Sequence, residues 1–279
     1  MKYKKIVIIG TGLIGGSIGK ALLERGLADE VVGVCRRQST LERTLKEKAV
    51  STGFVDNYEE ACKGAEVIFV ATPIHTIKDN LEALAGVLSG NVIVTDAGST
   101  KKEIVAHAAR FKDKFSFVGG HPLAGSEKTG VEHARQDLFE NSLCVLTRDG
   151  STKEEDLEKV SGLWQAMGAE VDIVAPEKHD EILAFTSHLP HVLAYSLTGV
   201  QKKEYFKYMS TGFKDATRIA SSSADIWSDI FISNSGNVLK SIERFREVLA
   251  QIEDDIRRGR KEELGEKLQK YREIRDEIS

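Results

Sequence analysis

Between Gly119 and Glu127 the chain reads "GGHPLAGSE", a single histidine on a turn of small residues after the apolar run "FSFV". A neutral imidazole, with a pKa of about 6.5, suits the task of taking a proton from an alcohol while its carbon is oxidised. His121 is therefore the candidate base. A second loop, "VTDAGSTK", carries Ser99. Its hydroxyl can share the hydrogen bond to the same substrate oxygen, and either Ser99 or Thr100 can also cap the helix expected before Glu103.

Further along, "SHLPH" places His188 and His191 three residues apart, on one face of an apolar helical run. No H-E-x-x-H and no third ligand at useful spacing accompanies them, so no metal is expected. "GFKDATRIASSSADIW" carries Lys214, Asp215, Arg218 and Trp227. A guanidinium there can clamp a carboxylate through two parallel bonds. Read alone, Arg218 also fits a surface charge and Trp227 a core residue.

Near the start, "GTGLIG" sets Gly10, Gly12 and Gly15 around Leu13 and Ile14, after an apolar strand and at the opening of a helix. The first glycine makes a tight turn and the second lets backbone approach a pyrophosphate. The third lets helix and strand pack closely, and the helix N-terminus attracts the anion. An acid usually follows at the end of the next strand to bond the ribose 2′-hydroxyl. Here the text is "GVCRRQST", with Cys35 at that place and Arg36, Arg37, Ser39 and Thr40 behind it. Two guanidiniums and two hydroxyls suit a 2′-phosphate, so NADP is favoured. Arginines that are solvated or stacked on adenine would leave NAD open. "VATP" ends a strand at Thr72 and Pro73, beside the cofactor. The glycines ahead of His121 are expected to admit substrate and nicotinamide close to the ring.

These residues need a scaffold that brings loops together. Up to residue 175 the chain alternates short apolar runs, such as "KKIVIIG", "EVVGVC", "AEVIFVATP" and "NVIVTD", with amphipathic helical stretches. That alternation predicts βαβ units and a mostly parallel sheet, with reacting groups beyond the carboxyl ends of the strands. Gly26 is expected to end the first helix. After Pro176 the periodicity is helical throughout and ends in a long amphipathic stretch from Ile242. The expected division is residues 1–175 as an α/β dinucleotide-binding domain and 176–279 as an all-α domain. The surplus of apolar stripe on the last helices points to a homodimer, against a closed monomeric bundle as the alternative.

Composition sets outer bounds. The chain has 279 residues, 41% hydrophobic and 29% charged, with a net charge of −4, so nothing favours nucleic acid or an anionic membrane. Three separated cysteines fit reduced thiols and a cytoplasmic setting. No run approaches the ~20 apolar residues of a membrane helix. The opening "MKYKKIVIIG" enters a strand directly, so no signal peptide is expected.

Taken in order, "GTGLIGGS", "TDAGSTK", "GGHPLAGSEKTGVE", "SHLPH" and "GFKDATRIA" resemble the prephenate and arogenate dehydrogenase family of tyrosine biosynthesis, over nearly the whole chain. The resemblance implies a Rossmann-like N-terminal domain, a helical dimerisation and substrate domain, and NAD(P)-dependent oxidative decarboxylation of prephenate or arogenate. Carried onto these positions, His121 accepts the ring hydroxyl proton and Ser99 bonds that hydroxyl. Arg218 binds a substrate carboxylate; should it not, Lys214 or a histidine of "SHLPH" is the next candidate, a reading of this chain's own residues. His188 and His191 line the pocket, Glu127 gates it, and Trp227 and Asp215 support it. His191 favours prephenate, because arogenate-specific relatives often lack a histidine there. A β-hydroxyacid dehydrogenase or imine reductase shares the two-domain plan but usually sets a catalytic lysine or another acid where "SHLPH" stands. A non-enzymatic NADP sensor would require Ser99, His121 and Arg218 to be incidental together.

Overall fold

The computed structural model describes residues 2–125 and 128–278. Its contacts divide the chain into two compact units, Met1–Asn234 and Ser235–Ser279.

The first unit is built on one eight-stranded sheet. The strands are β1 (Tyr3–Ile9), β2 (Ala28–Cys35), β3 (Thr52–Val55), β4 (Val67–Val70), β5 (Ile93–Asp96), β6 (Ser116–Pro122), β7 (Leu143–Thr147) and β8 (Glu170–Val174). Their spatial order is β3-β2-β1-β4-β5-β6-β7-β8, and every pairing is parallel except β6 with β7. The order turns back between β1 and β4, the place where open α/β sheets leave a crevice for ligands.

Alternation along β1 shows why the sheet is covered on both faces. Ile6 and Ile8 belong to one buried layer, with Ile18 and Leu22 of α1 (Leu13–Glu24). Val7 and Ile9 belong to the other. A strand whose successive residues are all apolar has no solvent face and must lie between two layers. The helices between strands follow: α2 (Gln38–Lys46), α3 (Tyr58–Cys62), α4 (Ile74–Val87), α5 (Lys102–Ala108) and α6 (Glu154–Ala166). Ile77, Leu81 and Leu84 of α4 fill the second layer, and Val160, Leu163 and Trp164 of α6 the first.

The α/β reading of this part holds, with two additions. β3 and α3 have no counterpart in the sequence reading, because "TGFV" and "YEEAC" are too short to show a period. Gly26, at φ +62°, closes α1 as expected. The expected cap at Ser99 or Thr100 is not made. Thr100 Oγ1 donates instead to Ser233 Oγ at 3.2 Å, and α5 is capped from far along the chain, as described below.

Beyond Val174 every described element is helical. Pro176 opens α7 (Pro176–Leu183), a position where its missing N–H costs nothing. A five-residue π turn, Ala184–His188, leads into α8 (Leu189–Gly199), then α9 (Thr211–Thr217) and α10 (Ala224–Ser233). The second unit consists of α11 (Ser235–Arg257) and α12 (Lys261–Glu277). The single terminal stretch expected from the sequence is thus two helices, broken at Gly259 (φ +64°). Arg260 bridges Asp254 and Asp255 at the break, and Lys267 of α12 pairs with Asp255 of α11.

Candidate active site

Two neighbouring cavities lie at the carboxyl ends of β1, β4 and β5. The smaller, of about 330 Å³, is lined by Gly10, Gly12, Arg36, Arg37, Thr40, Thr72 and Pro73, together with Asp56 and Tyr58. Gly10 turns at φ +88°, and a Cβ there would sit 2.6 Å from Thr72 Cγ2. A Cβ at Gly15 would meet the Gly10 carbonyl oxygen at 1.9 Å, so this glycine serves helix–strand contact and does not line the cavity. At Gly12 nothing lies within 4 Å of a Cβ, and the first turn of α1 has no side-chain cap. Open space before uncapped N–H groups is what a pyrophosphate needs. The residues present therefore fit a dinucleotide.

Cys35 is buried, and its thiol lies 3.1 Å from Thr11 Oγ1, which also bonds Thr44 Oγ1 at 2.7 Å. The thiol is thus held inside the fold. Arg36 and Arg37 are exposed, and Ser39 lies off the cavity wall.

The larger cavity, of about 860 Å³, joins residues far apart in the chain. Gly12, Leu13, Ile14, Thr72 and Pro73 form one end. Ser99 and His121 stand on its wall with His188, His191, Arg218 and Trp227. His191 stacks on Trp227, ring centroids 3.3 Å apart at 19°. Its Nδ1–H donates to the Ser187 carbonyl at 2.9 Å. Burial lowers the His191 pKa, the bond to Ser187 opposes that, and the Arg218 charge adds to the lowering. Among the described residues no carboxylate pairs with Arg218. Lys214 and Asp215 are exposed on α9 and do not line the cavity. Glu127 lies outside the described residues.

His121 ends a chain of hydrogen bonds that leads into the helical region. Its Nδ1 lies 2.9 Å from His179 Nε2, and His179 Nδ1 lies 2.8 Å from Asp180 Oδ1. Proton positions follow from the far end. A carboxylate only accepts, so His179 Nδ1–H donates to Asp180. His179 Nε2 then carries a lone pair and accepts from His121 Nδ1–H. That leaves the lone pair of His121 on Nε2, toward the cavity. Burial, then His179, then the Lys101 charge hold the His121 pKa well below its usual value. Burial alone would raise the Asp180 carboxyl, but its bonds from His179 and from two backbone N–H groups outweigh this and hold it low.

Those N–H groups belong to Lys101, at 2.7 Å, and Lys102, at 3.0 Å. Asp180 therefore caps α5 and orients His179 at the same time. A second buried pair joins the two loops. Asp96 accepts from Gly98 N–H at 2.9 Å, from Gly120 N–H at 3.1 Å and from the Lys101 ammonium, which also donates to the Gly120 carbonyl at 2.8 Å.

This crowding corrects the expected use of the glycines. A Cβ at Gly119 would lie 2.3 Å from Thr147 Oγ1, and one at Gly120 would lie 2.8 Å from the Asp96 carbonyl oxygen. They let β6 lie close to its neighbours and are not openings for substrate. His179, Asp180, Asp96 and Lys101 escaped the sequence reading. The signals were the adjacent "HD" in "EKHDEILAF" and the charged residues flanking Ser99.

Two family models match the chain: "Prephenate dehydrogenase, nucleotide-binding domain" over residues 18–173 and "Prephenate dehydrogenase, dimerization domain" over 175–270. Prephenate dehydrogenase of Bacillus subtilis is 34% identical over 274 residues, 95% of this chain and 72% of that protein. The crystal structure of prephenate dehydrogenase from A. aeolicus, in complex with hydroxyphenyl propionate and NAD+, superposes with a TM-score of 0.93 at 32% identity, over 100% of this chain and 99% of that one. Synechocystis arogenate dehydrogenase gives a TM-score of 0.86 at 31% identity, over 99% and 100% of the two chains.

Proposed function

The chain belongs to the prephenate dehydrogenase family, and from that premise we propose how its residues carry out NAD(P)-dependent oxidative decarboxylation of prephenate to 4-hydroxyphenylpyruvate. The observation that carries the reading is the chain from His121 through His179 to Asp180. It leaves a bare Nε2 facing the cavity, the form a general base requires. His121 Nε2 takes the proton of the ring hydroxyl, and Ser99 holds that oxygen. As the hydroxyl carbon becomes a carbonyl, the ring carboxylate leaves as carbon dioxide, because its loss aromatises the ring. Bound NAD(P)+ supplies the acceptor for the hydride. The proton stays on His121 Nε2, and the ionised Asp180, acting through the His179 bond, stabilises the charge that develops.

Arg218 binds the side-chain carboxylate, with Trp227 and His191 on the same cavity wall; Lys214, the alternative clamp, lies off that wall. The relative crystallised with hydroxyphenyl propionate holds a phenol bearing a carboxylate side chain, which supports this arrangement. Gly10, Gly12, Leu13, Ile14, Thr72 and Pro73 hold the dinucleotide. NADP is the preferred form, supported by the inward Cys35 thiol and by Arg36 and Arg37 at the rim; NAD is what the crystallised relative contains.

Residues 1–175 form the dinucleotide-binding domain and residues 176–279 the substrate and dimerisation domain. A homodimer is supported by the exposed Val200, Phe206 and Tyr208 in the first unit and by Leu239 and Ile256 in the second. Among the described residues no helix is long and apolar enough to cross a membrane.

The test is to incubate the protein with prephenate, and separately with arogenate, and either NADP+ or NAD+, following absorbance of the reduced cofactor. Absence of cofactor reduction with prephenate would overturn the reading.

A further inference from the structure

His188 is buried in the cavity wall, and the proton on its ring is set by a residue 46 positions further along the chain. Asn234 Nδ2 lies 2.7 Å from the Asp180 carbonyl oxygen and 3.2 Å from His188 Nδ1. A carbonyl oxygen can only accept, so the amide atom facing it is the nitrogen, and the orientation of Asn234 follows from chemistry. The second hydrogen of that nitrogen points to His188 Nδ1, which must carry a lone pair. A neutral His188 therefore holds its proton on Nε2. Among the described residues no protein hydrogen bond is made to Nε2, and His188 lines the cavity.

We infer that Asn234 is a positioning residue that fixes His188 as the neutral Nε2–H tautomer, so that His188 meets the substrate as an uncharged hydrogen-bond donor. This rests on the reaction proposed above and adds to it a role for a second pocket histidine. His121 presents a lone pair and His188 presents a proton, and both assignments lead back to Asp180, one through its carboxylate and one through its backbone carbonyl. The groups around His188 agree with a neutral ring. Burial holds its pKa down to about 4, Asp180 opposes this, and His179 and His191 add to it. An oxygen of the bound acid is the partner this donor suits, and it receives the bond without a further positive charge beside a carboxylate that must leave.

Nitrogen NMR of the protein with labelled histidines tests the first half. At pH 7 the His188 ring, assigned by its disappearance in His188→Gln, should show a protonated Nε2 and a bare Nδ1. A proton on Nδ1, or a charged ring at that pH, overturns the inference. This measurement needs no substrate and no variant at Asn234, so it stands or falls apart from the proposed reaction. Asn234→Asp tests the second half. A carboxylate there gives up the bond to the Asp180 carbonyl, accepts from His188 Nδ1–H and raises the pKa of the ring. The charged ring at low pH keeps its Nε2–H, whereas the neutral ring at higher pH holds its proton on Nδ1 and loses the donor. KM for prephenate should then stay near wild type in acid and rise about tenfold as pH increases through the new pKa, a rise absent from the wild type. If NMR shows the tautomer switched in this variant while KM stays level across pH, the donor role is overturned.

Discussion

Asp180 holds both the start of α5 and the ring of His179: one carboxylate oxygen accepts from Lys101 N–H and His179 Nδ1–H, and the other accepts from Lys102 N–H. The Ser99 loop and His121, the proposed base, are thereby referred to one buried anion. Helix capping and proton placement are the same interaction here, so a change at Asp180 must affect both.

Asp180→Asn should lower kcat by about 10²-fold or more, because an amide no longer enforces the tautomer of His179 and hence of His121. It should also destabilise the fold by about 1 kcal/mol through the weakened cap. His179→Leu should show the catalytic loss, and His179→Gln, whose side-chain oxygen can accept from His121 Nδ1–H, should recover part of it. Steady-state kinetics and thermal melts separate the two effects. Equal kcat for the Leu and Gln variants would argue against the relay.

His121→Ala should reduce kcat by about 10²–10⁴-fold while leaving cofactor affinity nearly unchanged. The pH dependence carries a sign. The proposed base acts in its neutral form, and the pKa of His121 lies well below the usual value, chiefly from burial. The kcat/KM profile should therefore be level near neutrality and fall only in acid, below about pH 6.5. A descending limb centred above that point would mean a different base.

Arg36→Ala combined with Arg37→Ala should weaken NADP far more than NAD. A charge-assisted bond is worth about 1.5–3 kcal/mol, so the ratio of the two dissociation constants should shift ~10²-fold or more. Titration of each cofactor by fluorescence measures it. Equal losses would assign the arginines to some feature the two cofactors share.

Arg218→Ala should raise KM for prephenate by roughly 10–150-fold, from loss of one such bond. Lysine should rescue only in part, since it keeps the charge without the planar fork. Cofactor affinity should hold, because Arg218 lines the larger cavity and not the smaller one. An unchanged KM would move the clamp to a histidine of "SHLPH", since Lys214 lies off the cavity wall.

Much of this protein was legible in the chain itself. The glycine turn, the alternation of apolar strands with amphipathic helices, and the small-residue loops carrying Ser99 and His121 are local patterns, and local backbone chemistry is enough to interpret them. The resemblance of ordered motifs supplied the family. Tertiary structure decided what depends on distant partners. Nothing near "EKHDEILAF" announces that Asp180 will cap a helix some 80 residues earlier. Nor does "GGHP" reveal that its glycines answer to Thr147 and Asp96 and not to substrate. The proton on a histidine is the clearest case. Sequence places the ring, but which nitrogen holds the hydrogen is set by the donor or acceptor across from it. For His121 that partner is His179, 58 residues away, and for His188 it is Asn234, 46 residues away. Hydrogen-bond complementarity acts through space, and only the folded chain brings those atoms within reach.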